Sequence, residues 1–490
     1  MIIGGLDVGT TGCKLTAFDH KGNFIYNSYK AYEITRKNGE HELDAQVIFA
    51  AVCDVIRDTA QNCALSVLGV TTFGETFVAL DQDDNVLLPS MLYTDPRGEK
   101  ECADLCAILG EQKLTYISGV KPHQMYSLPK LMWIKNNLPE VYRKIDKILL
   151  MEDFIVYMLC GRACIDYSLA ARTMAFDIRE KCWSNEILDA AGIDKKLLSE
   201  AVPAFNVAGD LKKDVAEKLG IKGTVKIVNG AHDQVASAVG AGVFEKGQAA
   251  DGTGTVECVT PVFNAIPENK SLYDEGYSVV PYVFDGTYVC YALSFTGGAT
   301  LKWFRDNFAK DKSYKELDDT VKNGPSGIMI LPHFAGAANP YMDNGSKAAM
   351  IGLTLEHTAS DVYKALMEGV TYEILTNIEH LADANIGIHK LFATGGGATS
   401  EKWLQIKADI LNRPITSLSA KEVGACGTCM MAGVAVGAYK DLYEAKQIFV
   451  KESKTFVPNP ENVKKYQKIS GAYKEIYDAI RPIEKKGYGV

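Results

Sequence analysis

No uninterrupted apolar run in this 490-residue chain approaches the ~20 residues needed to span a bilayer. The N-terminus also lacks a basic region followed by a long apolar segment, so no signal peptide is expected and a cytoplasmic location is. Excess positive charge is missing too. The formal net charge of -9 excludes a general binder of nucleic acid or of membrane surfaces. It leaves nucleotide binding open, because a Mg2+-neutralised triphosphate needs only local donors. Twelve cysteines are present without a metal-ligand pattern. Cys426 and Cys429 form a lone CxxC, and no second CxxC or nearby His pair completes a zinc site. Both lie in the small-residue run from Gly424 to Gly433 and read as reduced, buried side chains on a closely packed helix.

The residues that are present have the composition of a soluble globular protein, 47% hydrophobic and 23% charged. A chain this long exceeds one core, so two or three domains are expected. Val67 to Phe73 is a short apolar strand of buried type. Asp44 caps a helix with Val47, Ile48, Ala51, Val52, Val55 and Ile56 as its apolar positions. Alternation of this kind argues for α/β layers.

The first stretch that carries chemistry runs from Gly4 to Asp19 and reads as strand, glycine turn and second strand. Gly9 and Gly12 are expected to supply positive φ at little cost. The turn's amides and the hydroxyls of Thr10 and Thr11 would form a concave donor site for phosphate oxygens. Lys14, just past the turn, would meet phosphate charge, and Asp7, just before it, would hold a hydrated Mg2+. An ordinary hairpin with a solvated Asp and Lys is the plain alternative. Ala250 to Glu257 repeats the small-residue hairpin halfway along the chain. Gly230-Ala231-His232-Asp233-Gln234 precedes a small-residue helix, and Gly395-Gly396-Gly397 follows a short apolar strand.

Two such hairpins and a late glycine turn resemble the superfamily of sugar kinases, chaperone ATPases and actin. Within it the chain resembles the FGGY carbohydrate kinases nearly end to end. Met125 to Asn137 matches the first family signature at every constrained position, and Ala348 to Glu368 closely follows the second. The resemblance implies an α/β fold of two ribonuclease-H-like domains with a cleft between them. Residues 1–246 would bind the sugar and carry the catalytic base, and residues 247–490 would bind the nucleotide.

Residue by residue, the resemblance implies that Asp233 is the general base, where its plain reading is a helix N-cap. Gln234 would hydrogen-bond the same substrate, and Glu75, Thr76 and Asp95, on loops at strand ends, would contact it. Gly252 and Thr253 match the second phosphate turn. Gly298 opens a helix near the nucleotide, whose N-terminus favours an anion, and Gly396 and Gly397 match the adenosine turn. Asp251 before the phosphate turn is unusual; it either helps hold the metal or repels phosphate. His232 replaces a small residue common at its place, and its role is open.

The implied reaction is ATP- and Mg2+-dependent phosphorylation of a hydroxyl of a small sugar, by preference a ketopentose such as xylulose. A fuculose- or rhamnulose-type deoxyketohexose and a polyol are alternatives. Gly74 stands where glycerol kinases carry arginine, and Met125 where they carry a substrate-binding tyrosine, which disfavours a strict glycerol kinase. The rivals of other classes are a sugar-sensing pseudokinase and a partner-activating ATPase with an iron-sulfur cluster held by Cys426 and Cys429. Family habit implies a homodimer.

Overall fold

The structure, a computed structural model, describes residues 1–420 and 422–487. It divides into two compact units. The first comprises Met1–Gly242, Ser278–Tyr288 and Glu422–Val450; the second comprises Val243–Tyr277, Val289–Lys421 and Lys451–Val490. Segments 278–288 and 422–450, which follow the expected boundary at 246/247, are grouped with the first unit.

In the first unit Ile2–Val8, Gly12–Asp19 and Phe24–Ala31 form an antiparallel meander. Leu65–Thr72 pairs parallel on the other side of Ile2–Val8, and Lys226–His232 follows parallel to it. The second unit repeats this arrangement. Gln248–Thr253 pairs antiparallel with Glu257–Phe263, which pairs antiparallel with Ala292–Ser294. Lys390–Thr394 and Ile415–Leu418 then add parallel strands beyond Gln248–Thr253. Parallel strands end at one edge of a sheet, where ligands bind in open α/β folds. Val8 pairs with Thr72, and His232 with the same Thr72, so the first hairpin turn, the Gly74-Glu75 loop and Asp233 share that edge. Gly252 pairs with Thr394, so the second hairpin turn and the Gly395–Gly397 turn share the equivalent edge of the second unit.

The helix Ala45–Asn62 starts as expected: the Asp44 carboxylate accepts from the Gln46 and Val47 amides. Ile48, Ala51, Val52, Val55 and Ile56 are buried, but Val47 is 50% exposed, lying one position off the buried stripe. Gly9 and Gly12 depart from expectation, since neither has positive φ. Gly12 is needed for space: a Cβ there would stand 2.5 Å from the Tyr29 hydroxyl and 2.8 Å from the Lys30 carbonyl.

The helix Val423–Ala435 packs in the first unit through backbone contact. A Cβ on Gly427 would stand 1.9 Å from the Ala236 carbonyl, and one on Gly240 1.9 Å from the Val423 carbonyl. Only glycine at both places lets this helix touch Asp233–Gly240. Thr428 Oγ1 meets Thr71 Oγ1 at 2.8 Å, and the Cys429 thiol donates to the Ile3 carbonyl at 3.6 Å. Burial pushes the Cys426 thiol up to about 12, with Glu422 adding to it, so the pair is chemically quiet rather than poised for metal. Gly427→Ala is expected to destabilise the fold by ~1–3 kcal/mol or more, through overpacking. Urea unfolding reads this directly, and an unchanged midpoint would contradict the backbone contact. Among the described residues no helix is long and apolar enough to cross a membrane.

Candidate active site

Asp7 lies on the central strand of the first unit, opposite Lys14 and beside Thr71. Burial pushes its carboxyl up to about 7; Asp233 adds to this, Lys14 opposes it and Glu422 adds again. Lys14 is itself bound to Glu422, Nζ to Oε2 at 2.7 Å. The neighbourhood therefore holds more negative charge than it can carry comfortably, and a divalent cation relieves that. Mg2+ usually takes one or two carboxylates plus substrate phosphates rather than a protein cage. Asp7 fits that role, and among the described residues no group of three or more His, Cys, Asp or Glu is arranged as a cage.

Asp233 is the first residue of the helix Asp233–Gly240, directly after the strand Lys226–His232. The N-cap position belongs to His232, and no side chain caps this helix, so the plain reading of Asp233 as a cap does not apply. Burial pushes its carboxyl up to about 6, while hydrogen bonds from Gln234 and the charge of Arg172 pull it back. A third of the side chain, 34%, stays open to solvent, but Oδ1 is buried, without a hydrogen-bond partner among the described residues, so the exposed part of the side chain lies elsewhere. His232 Nε2 stands 3.3 Å from that oxygen. Burial drives this imidazole down to about 3, with Arg172 adding to the effect. His232 is therefore neutral near pH 7 and forms no ion pair with Asp233. A carboxylate ionised at pH 7, accessible and only just acidic enough is suited to accept a proton from a hydroxyl.

Two loops flank this base in the first unit. Glu75 adopts φ +64 and is 4% exposed. Arg172 holds it: Nε donates to Oε1 at 2.5 Å and Nη2 approaches the same oxygen. The guanidinium lies over the Tyr126 ring, 5.1 Å from its centroid. Gly74 makes room for this. A Cβ there would stand 3.1 Å from Arg172 Cγ and 3.2 Å from His232 Cδ2. Thr76 Oγ1 is buried without a partner among the described residues.

Asp95, expected as a sugar contact, has both oxygens engaged within the protein. It accepts from the Arg97 amide at 3.0 Å, from Arg97 Nε at 2.8 Å and Nη2 at 2.7 Å, and from the His41 amide at 2.8 Å. Lys130 is fully buried and donates to the carbonyls of Asp95 at 2.7 Å and Arg97 at 3.3 Å. Trp133 lies against the Arg97 guanidinium, 5.3 Å from ring centroid to Cζ. The first family signature thus props up the 95–97 loop. Tyr93, on the same loop and 38% exposed, feels the charges of Glu75 and Asp233. Tyr93 belongs to the Tyr93–Arg97 stretch that the sequence reading offered as candidate polyol readers, whereas Arg172 and His232 are groups to which it assigned no role. Arg172 is the only basic residue between Cys164 and Ile178, a stretch that is otherwise mostly apolar, and that isolation was the available signal.

The second unit holds a cleft of about 1170 Å³ lined by Thr253, Gly298, Trp303, Tyr314, Gly396 and Gly397 among others. Four of the five nucleotide residues expected in this unit border it; Gly252, one residue before Thr253 in the same strand, does not. Gly395 has φ +79, and a Cβ there would stand 2.6 Å from the Thr253 carbonyl. The Gly298 helix differs from the expected open anion site. The amides of Gly297, Gly298 and Ala299 donate to the carbonyls of Thr255 at 2.8 Å, Gly254 at 2.8 Å and Thr255 at 3.2 Å. Its first donors are spent on fastening the hairpin turn, and Thr253, Gly254 and Thr255 of that turn line the cleft.

Residues 2–240 match the FGGY family of carbohydrate kinases, N-terminal domain, and residues 269–436 match the C-terminal domain of the same family. The xylulose kinase of Lactococcus lactis subsp. lactis (strain IL1403) is 29% identical over 489 residues, covering 96% of each chain. The gluconokinase of Bacillus subtilis (strain 168) is 26% identical over 484 residues, covering 95% of this chain and 93% of its own. Ligand-bound xylulose kinase from Lactobacillus acidophilus superposes with a TM-score of 0.90 at 26% identity, covering 98% of each chain. Plasmodium falciparum glycerol kinase with ADP shares the fold, with a TM-score of 0.87 at 20% identity, covering 97% of this chain and 98% of its own. The doubled sheet and the match of both halves agree: this chain belongs to the FGGY family of carbohydrate kinases.

Proposed function

We propose that this kinase transfers the terminal phosphoryl group of ATP to a hydroxyl of a ketopentose of the xylulose type. The observation that carries this reading is Asp233, with a third of its side chain open to solvent and its carboxyl raised to about 6, at the strand-end edge of the first unit. In the reaction the substrate hydroxyl gives its proton to Asp233 as its oxygen attacks phosphorus. Gln234, Thr76, Glu75 and Tyr93 read the other hydroxyls, and Asp95 acts by holding its loop in shape. Thr10, Thr11, Lys14, Gly252 and Thr253 cradle phosphates, and Gly298, Gly396 and Gly397 shape the nucleotide cleft. Asp7 would hold a Mg2+, which would supply neutralisation of the phosphate charge. Phosphoryl transfer asks mainly for positioning and charge stabilisation, which this set provides. The ketopentose is favoured by the xylulose kinases among the relatives and by Gly74, which brings no charge of its own to the pocket. We further infer a cytoplasmic homodimer.

ATP consumption tests the substrate. Against D-xylulose, L-fuculose, L-rhamnulose, gluconate and glycerol, kcat/KM is expected to be highest with the ketopentose. A higher value with gluconate or a deoxyketohexose would move the assignment to that class. The pH profile tests the base. With Asp233 raised to about 6, the working form is the ionised one, so activity is lost as pH falls through that value. At saturating Mg2+, which keeps Asp7 ionised, kcat/KM should drop about tenfold per unit below pH 6. A flat profile down to pH 5 would contradict the assignment.

A further inference from the structure

Beneath the second hairpin lies a buried ionic cluster that the mechanism above does not use. Lys407, on the helix Glu401–Leu411, is 1% exposed. Its Nζ lies 2.7 Å from Asp251 Oδ2, 2.7 Å from Thr253 Oγ1 and 2.8 Å from Glu257 Oε1. Both carboxylates are fully buried, and the Trp403 ring backs the ammonium at 5.1 Å. Burial holds the Glu257 carboxyl well above its usual range, with Lys407 opposing and Asp251 adding. The cluster thus sets one ammonium between two buried carboxyl groups. Asp251 Oδ2 accepts from this ammonium.

An ammonium has three donors and no lone pair, so Thr253 Oγ1 accepts from Lys407 and its own proton points away from Nζ. No acceptor for that proton is found among the described residues, and Thr253 borders the cleft. We propose that Lys407 is a positioning residue of the nucleotide cleft: it fixes Thr253 as a hydrogen-bond donor to a phosphate oxygen and cancels the charge of Asp251 beside it. This rests on reading the cleft as the nucleotide site. A neutral side chain at 407 would leave the Thr253 hydroxyl unoriented and the Asp251 carboxylate uncompensated beneath the phosphates.

Lys407→Met alone strands a buried carboxylate and is expected to cost folding, so Lys407→Met/Asp251→Asn carries the test. Calorimetry with ADP on the full chain compares wild type, this double variant, Thr253→Val, and the triple variant. The double variant and Thr253→Val should each weaken ADP roughly tenfold, the usual cost of one well-placed hydrogen bond to a charged group. The triple should be no more than about twofold worse than the double, because both changes remove the same contact. The KM for the sugar should stay within about twofold of wild type. Effects that multiply in the triple, or unchanged ADP affinity in the double, would overturn the role of Lys407. Failure of wild type to bind ADP would instead overturn the nucleotide reading of the cleft, and the proposal with it.

Discussion

Asp233→Ala is expected to lower kcat by about 10²–10⁴-fold, the usual contribution of a positioned general base. The KM values for sugar and ATP should move far less, because proton acceptance matters in the transition state and little in binding. The argument rests on three observations. The carboxyl is pushed up to about 6 by burial, which keeps it ionised yet basic at pH 7. It retains 34% exposure where many neighbouring side chains are closed off. It stands directly after the strand Lys226–His232, at the sheet edge shared with the first hairpin turn. Asp233→Asn should behave like the alanine variant, because an amide keeps the shape and cannot take the proton. A variant retaining more than a tenth of wild-type kcat would show that the hydroxyl loses its proton elsewhere.

Arg172→Met is expected to destabilise the first unit by about 3–5 kcal/mol, the usual result of removing one member of a buried pair. Glu75 is left 4% exposed, with its principal cationic partner gone. The effect should show as a lowered urea midpoint with little change in slope. Arg172→Met/Glu75→Gln should recover much of the loss, since no stranded charge remains. The same cation pulls the Asp233 carboxyl downward, so in the single variant the acid limb of kcat/KM should move above pH 6. A loss below about 1 kcal/mol would mean that the pair behaves like an exposed ion pair and does not organise the pocket.

Much of this organisation was legible in the chain. Each small-residue hairpin announced a sheet whose first strand lies at the centre, and turn residues placed after strands led to Asp7, Asp233, Thr253 and Gly396. Local signals sufficed because these features are local: a strand end, a turn, a cap. What stayed hidden depends on partners distant in sequence. Asp95 is the mixed case: Arg97, two residues on, makes most of its hydrogen bonds, and His41, 54 residues away, adds one. Lys14 looked free for phosphate because Glu422 lies 408 residues on. Asp251 looked anomalous until Lys407, 156 residues away, supplied its counter-charge. Gly9 and Gly12 were read through φ, whereas steric room under Tyr29 and Lys30 is what Gly12 provides. A turn pattern in sequence does not reveal which of those two needs a glycine meets.

Phosphorus NMR of the purified chain with ATP, Mg2+ and D-xylulose tests the central claim most directly. The account predicts one new phosphomonoester signal growing in step with ADP, and its absence when Asp233→Ala replaces the wild type. ADP accompanied by inorganic phosphate, with no sugar phosphate formed, would contradict it.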